Sequence, residues 1–279
     1  DPKKGKHLAI PLFMKAFSVC NHRLFMTDCT PHTQRILKKT NLFEFPETEP
    51  GIRGFMKFNL HEVIPAKFPV YKKLEFLLNL SDKILNFILI PFQKIHHLKI
   101  RTNNLKLEYL AALNAELNKF IESHSTNEFT KRSAIELEWI IQHPWLKKND
   151  ALKTTPFEYP FSYLVKDFNQ YFLKIEETGK LIGLLLISIR DGHMKVPYAY
   201  FEDHAAQQIT KVIYNEAERQ KSVTLTVFSP KLVHQMNAVS HPFLFKKRIK
   251  RLIAIPKELS DFYLKHPQIQ DGDGDVVFT

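Results

Sequence analysis

Residues 171–228 read YFLKIEETGKLIGLLLISIRDGHMKVPYAYFEDHAAQQITKVIYNEAERQKSVTLTVF, and this stretch decides the fold. Tyr171 to Ile175 and Leu181 to Ile189 are apolar runs of strand length. Glu177-Thr178-Gly179-Lys180 between them has the composition of a tight hairpin turn. Asp191-Gly192 predicts a second such turn, into a strand from His193 to Phe201. A helix is expected from His204 to Arg219, with Asp203 as its cap. Val223 to Phe228, rich in Val, Thr and Leu, predicts one more strand. A three-strand meander, a crossing helix and a further strand together imply a mixed α/β domain.

Working outward, Leu105 to Tyr109 alternates like a first strand. A helix is predicted from near Ala111 to His124, and a second one, capped by Thr130, through Ile141 to the stop at His143-Pro144. Ser229-Pro230 opens a helix over Lys231 to Ala238, and Leu244 to Ile255 reads as a last long strand or a pair. Residues 100–279 thus have the order β-α-α-β-β-β-α-β-α-β and are expected to form one domain.

Residues 60–99 read as an amphipathic helical linker, with a helix from about Tyr71 to Ile90 ended by Pro91. Lys83, Asp82 and Pro91 interrupt it too much for a bilayer span. Its wide apolar face is assigned to docking two halves of the protein, in preference to peripheral contact of residues 71–92 with an anionic membrane surface. In residues 1–59, Leu8, Leu12, Phe13, Ala16 and Phe17 share one helical face, with Pro11 in the first turn. A short strand over Arg23 to Thr27, a helix from Thr33 to Thr40 after Thr30-Pro31, and a strand around Phe55 to Leu60 complete that unit.

The order of elements in residues 100–260 resembles the GNAT superfamily of acyl-CoA N-acyltransferases. The resemblance implies an α/β (α+β mixed) fold: a GNAT-like central mixed sheet flanked by helices. It also implies that the fourth and fifth strands are parallel and splay to make a slot for acetyl-CoA or another acyl-CoA. The long helix between them would point its N-terminus at the cofactor pyrophosphate. A second resemblance lies in residues 1–59. Lys4-Gly5-Lys6-His7-Leu8-Ala9 stands in the frame of the family's phosphate loop, preceded by Asp1-Pro2. Thr30, Pro31, His32 and Thr33 stand where the family has N-x-x-A, and Ile36 to Leu42 where its helix ends. A partial second GNAT-like unit at the N-terminus, in a tandem protein, is what these positions imply. The chain begins at Asp1 with no signal peptide before the fold, which fits a processed product or a fragment.

The candidate sites differ in quality. Of the candidate phosphate-binding residues Lys4, Gly5, Lys6, His7, Leu8 and Ala9, the first three supply the positive charge and small bulk that a pyrophosphate requires, whereas His7 replaces a family glycine. The matching loop of the second unit, Tyr200 to His204, has no glycine and carries Glu202 and Asp203, which would repel a diphosphate. That unit is therefore expected not to hold CoA in the family's way. The family often places a tyrosine in its last helix to protonate the leaving thiolate. Leu37 stands there in the first unit, and the second unit offers only His234 besides Lys231. Glu202 and Asp203 are the candidates for a general base acting on the amine through a water, with Glu202 nearer the place where the family often has a carboxylate. Neither Glu202 nor His234 is assigned a catalytic role by residue type alone. Asp271-Gly272-Asp273-Gly274-Asp275 begins like a calcium loop, but Val276 breaks the pattern, and a turn into a strand over Val276 to Phe278 is expected. No metal site is assigned. Lys246 to Arg251 reads as a charged edge strand, and Trp139 and Trp145 as core or lid.

The bulk numbers narrow the partners. The 279 residues carry 40 Lys and Arg against 29 Asp and Glu, a formal +11. Such a surplus attracts polyanions without choosing among them. No zinc-finger, KH or RRM signature is present, and eight glycines are few for an RNA-binding tail, so nucleic acid ranks among the weakest readings. Cys20 and Cys29 fit no zinc motif or disulfide framework and point to a reducing, cytoplasmic compartment. Three functions follow in order: acyl-CoA-dependent transfer to a small-molecule or peptide amine, a catalytically inactive GNAT-like binding module, and binding of nucleic acid or a membrane surface. A homodimer is left open.

Overall fold

The computed structural model describes residues 8–99, 102, 104–148 and 164–274. In chain order the first elements are α1 (Ala9–Val19), α2 (Pro31–Thr40), β1 (Phe43–Glu44), β2 (Gly51–Phe55), α3 (Leu60–Lys67) and α4 (Glu75–Lys99). Next come β3 (Leu105–Leu110), α5 (Ala115–His124), α6 (Ala134–Gln142), β4 (Lys147–Lys148), β5 (Leu164–Val165), β6 (Phe168–Glu177), β7 (Lys180–Arg190) and β8 (His193–Phe201). The last are α7 (Ala206–Arg219), β9 (Thr224–Val227), α8 (Pro230–Ala238), β10 (Phe245–Ile249), β11 (Ile255–Pro256) and α9 (Ser260–Lys265). They group into two compact units that interleave along the chain. One holds Asp1–Glu49, Asn127–Thr130 and Lys250–Ile269; the other holds Pro50–Thr126, Lys131–Ile249 and Gln270–Thr279.

The smaller unit packs Phe17, Leu37 and Phe43 with Ala254 in one cluster. Thr30 caps α2 by accepting from the Thr33 N–H at 3.1 Å, and Pro31 takes the first helical position, as the sequence predicts. Arg23 to Thr27 forms no strand; Met26 alone bridges Ala254. A two-residue ladder joins β1 to β11. Arg251, buried, sets its guanidinium on Asp28 at 3.0 and 3.2 Å.

The larger unit is built on a seven-stranded sheet in the order β10-β2-β9-β8-β7-β6-β3. Every pairing in it is antiparallel except β8 with β9. The meander β6-β7-β8 follows from its two turns. Thr178 and Gly179, then Asp191 and Gly192, all adopt positive φ, the geometry in which a two-residue turn matches strand twist. The strand β7 is buried on both faces. Leu185 and Ile187 meet Ile209, Val212 and Ile213 of α7 on one side. Leu184 and Leu186 meet Leu117 and Ile121 of α5 and Leu137 and Ile140 of α6 on the other. Each such side chain contributes roughly 1.5–3 kcal/mol by leaving water.

Several boundaries differ from the sequence reading. Phe55 ends β2 rather than opening a strand to Leu60, and β2 lies hydrogen-bonded between β9 and β10 instead of closing residues 1–59. Ser133, not Thr130, caps α6, in a capping box with Glu136. The helix α5 starts after Asn114, which accepts from the Leu117 N–H. The helix α4 runs through Pro91 to Lys99 rather than stopping there. Pro91 is exposed, so the carbonyl it leaves without a helical donor can be met by water. The segment Leu244 to Ile255 is a pair, β10 and β11; β10 is a charged edge strand, but it ends at Ile249, and Arg251 of the expected Lys246 to Arg251 stretch is buried instead. Trp139 and Trp145 are half exposed, not core. The expected strand over Val276 to Phe278 lies outside the described residues.

Candidate cofactor slot

The slot is set by where β8 leaves β9. The two pair only at His193 with Thr224, Met194 with Leu225 and Lys195 with Thr226. Just past that point β8 carries one residue more than β7, since Tyr198 opposes Leu186 but Lys195 opposes Ser188. This bulge at Val196-Pro197 bends β8. Pro197 has no N–H to give a neighbouring strand. From there to Phe201, β8 runs unpaired with β9. The parallel, splayed pair that the resemblance implied is therefore present, and the fold is GNAT-like by its sheet topology.

The open edge is not empty. Ala199 donates its backbone N–H to Gln270 Oε1 at 2.8 Å, and Gly272 donates its own to the Pro197 carbonyl at 2.8 Å. The Gln270 N–H donates to Asp273 Oδ2 at 2.8 Å, which holds the segment as a turn. Tyr198 Oη accepts from Arg132 Nε at 2.6 Å and donates to Asp273 Oδ1 at 3.1 Å. Gln270, Asp271 and Asp273 are all buried. Burial, then the Asp273 charge, pushes the Tyr198 phenol far up, against the pull of Arg132. At Gly272 an added Cβ would stand 2.2 Å from Tyr198 Cε2, so only glycine lies flat against that ring. The sequence reading missed this set. The Asp271 to Gly274 run was visible as a turn, but its target on β8 was not.

The helix start beside the slot is equally occupied. Asp203 to Ala205 form a 3-10 turn, and Asp203 does not cap α7 as expected. Its carboxylate pairs with Lys231 of α8. Asp203, Lys231 and His234 border a cavity of about 420 Å³. Glu202 opens instead onto a different cavity of about 570 Å³, with Glu116, Lys119 and Lys180. Glu202 lies 3.9 Å from His124 Nε2 and gives its N–H to the Ile182 carbonyl. The two candidate catalytic side chains, Glu202 and His234, are thus not brought together. Among the described residues no group of three His, Cys, Asp or Glu could hold a metal ion.

Of the amino-terminal candidates, Lys4, Gly5, Lys6 and His7 lie outside the described residues. Leu8 is the N-cap position of α1 and Ala9 opens that helix. Leu8 offers no side-chain cap, and the first turn has no acidic residue, whereas Asp203 stands in the 3-10 turn that leads into α7.

No protein-family model matches the chain, and no curated protein matches it. Among solved structures it is similar to a GCN5-related N-acetyltransferase from Anabaena variabilis, with TM-score 0.46 and 10% identity over 90% of this chain. The chain spans about half of that protein's length, 52%. A GCN5-related N-acetyltransferase from Kribbella flavida gives TM-score 0.45 and 9% identity, covering 91% of this chain and 76% of the other. The C-terminal domain of a putative lysylphosphatidylglycerol synthetase from Agrobacterium fabrum gives TM-score 0.43 and 8% identity, covering 95% and 78%. The order and pairing of the strands, with the splay of β8 from β9, carry the GNAT-like assignment of the fold, not these scores.

Proposed function

We propose that the protein is an acyl-CoA-dependent N-acyltransferase whose donor is held by Lys4 to Ala9 and not by the seven-stranded unit. The observation behind this is the bond from Ala199 to Gln270. In the slot that the resemblance assigns to acyl-CoA, a β8 N–H would polarise the thioester carbonyl while an amine attacks it and the thiolate leaves. Here that N–H is already satisfied, and the neighbouring helix start carries a carboxylate where a pyrophosphate needs donors. Among the described residues the start of α1 has neither obstacle, and it follows Lys4, Gly5 and Lys6 in sequence. The amine acceptor is a small molecule or a peptide.

A second reading, a catalytically inactive GNAT-like binding module, is favoured by the same occupied edge. Thermal shift with acetyl-CoA and with longer acyl-CoAs separates the two. The donor reading expects stabilisation of about 2.7 kcal/mol at a hundredfold excess over Kd. Lys4→Glu with Lys6→Glu should abolish it, and Asp203→Asn should leave it intact. A shift that ignores Lys4 and Lys6 removes the donor loop from the proposal, and no shift with any acyl-CoA leaves the inactive module.

A further inference from the structure

In the hairpin of α3 and α4, the stripe of α4 that faces the protein sets hydrogen-bonding groups among leucines: Asp82 and His96 are buried, and Asn86 and Gln93 are half-buried, as are Leu78, Leu85 and Leu89. Asp82 accepts the N–H groups of Leu60 at 2.8 Å and His61 at 3.0 Å, and bonds the His61 ring at 2.8 Å. Asn86 brackets Phe58, accepting from its N–H and donating to its carbonyl, both at 2.9 Å. Gln93 donates to the Met56 carbonyl at 3.2 Å. The outward faces are apolar. Phe76 is 79% exposed, Phe87 73% and Phe92 65%, with Leu80, Ile84 and Ile88 exposed around them. In the connecting turn Val70 is 77% exposed, and Lys72 and Lys73 beside it are exposed too. A helix on a water-facing surface shows the reverse arrangement. An apolar surface of this extent marks an interaction site.

We infer that this hairpin docks on an anionic lipid surface, its apolar side chains entering the headgroup–acyl boundary and its lysines meeting lipid phosphates. Charge selects this occupant. Lys67, Lys72, Lys73 and Lys83 are exposed on the hairpin, whereas Asp82 is buried and fully bonded, leaving Glu62 and Glu75 as its exposed carboxylates. A second copy would bring the same lysines, and another formal charge of +11, against the first. A negative leaflet attracts them. At the root of the hairpin, Lys57, Lys83 and Lys221 border a cavity of about 1000 Å³ whose walls include Phe58, Phe87 and Ile90. Burial, then Lys221, holds the Lys57 ammonium below its ordinary pKa, and the charge of an anion there would act against that shift. Among the described residues no helix is long and apolar enough to cross a membrane, so the hairpin lies on the surface.

The test is sedimentation of the full chain with vesicles of phosphatidylcholine mixed with phosphatidylglycerol, beside vesicles of phosphatidylcholine alone. Binding is expected to the anionic vesicles, weakening as salt rises, and falling about fivefold for each of Lys72→Ala and Lys73→Ala. A Val70→Ser, Phe76→Ser, Phe87→Ser variant, altered only at exposed positions, should keep its melting curve and lose more than about tenfold in partition. The inference is overturned if the chain ignores anionic vesicles, or if the triple variant binds them as well as the parent. A concentration-dependent dimer without vesicle binding, abolished by the same triple variant, would give the face to a second copy instead.

Discussion

Ala199 gives its backbone N–H to the side-chain oxygen of Gln270, and with the Gly272 N–H on the Pro197 carbonyl this bond closes the unpaired edge of β8 with the chain's own later segment. Gln270→Ala should leave a buried donor without a partner and cost about 1–3 kcal/mol. Urea unfolding would measure it. Hydrogen exchange at Ala199 should accelerate in parallel.

Gly272→Ala tests the same seat from the other side. The added methyl meets the Tyr198 ring at 2.2 Å, and that ring is buried between neighbours. A loss of about 2 kcal/mol or more is expected, as for overpacking in a filled core. Tyr198→Phe should cost about 1–3 kcal/mol, because Asp273 loses a donor inside the protein. Equal melting curves for parent and variants would show that residues 270–273 do not hold the slot.

Glu216 predicts an acid limit on stability. Its buried carboxylate accepts from Tyr109 at 2.9 Å, Gln220 at 2.8 Å and Arg219 at 2.7 and 3.0 Å, and also from Tyr171. Burial alone would push the carboxyl up, but the bonds from Arg219, Tyr171, Gln220 and Tyr109 hold it down. Burial, then the same charge, pushes the Tyr109 phenol up to about 12. A carboxyl depressed on folding gives stability that is present above its unfolded pKa of about 4.3 and is lost as pH falls through the folded value. Glu216→Gln should cost about 2–3 kcal/mol at neutral pH and flatten that acid loss, read from melting temperature against pH.

The Asp203–Lys231 pair should behave in the opposite way. Its side chains are 77% and 59% exposed. Asp203→Asn should change stability by less than about 0.5 kcal/mol. A larger loss in thermal melts would mean that the pair anchors α7 to α8.

What could be read from the chain alone followed locality. The turns at Thr178-Gly179 and Asp191-Gly192, and the long apolar runs beside them, carry their own instructions, so the meander and α7 were predictable. Gly51-Ile52-Arg53-Gly54-Phe55 gives the contrary signal, because two glycines weaken any strand propensity. Their reason is remote. A Cβ at Gly51 would stand 2.5 Å from the Phe228 ring, and one at Gly54 2.2 Å from the Phe243 ring. The apolar face of α4, expected to dock two halves of the protein, stands exposed among the described residues. Apolar periodicity marks a face but not the medium it meets, and the polar stripe of Asp82, Asn86 and Gln93 is the one bonded inward. The candidate slot was legible as a splay, while its occupant depended on contacts no window of sequence contains.

The position of β2 has a consequence for how the molecule is made. Arg53 of β2 bonds Thr226 of β9, 173 positions later, at 3.1 Å. A nascent chain synthesised at about 5–20 residues per second must therefore wait some ten seconds or more before this strand meets its mate. Until then an early segment with both flanks unclaimed is exposed to strangers. Residues 100–279 expressed alone would lack β2, the strand that fills the gap between β9 and β10. Two raw sheet margins would be left in its place, an invitation to aggregate.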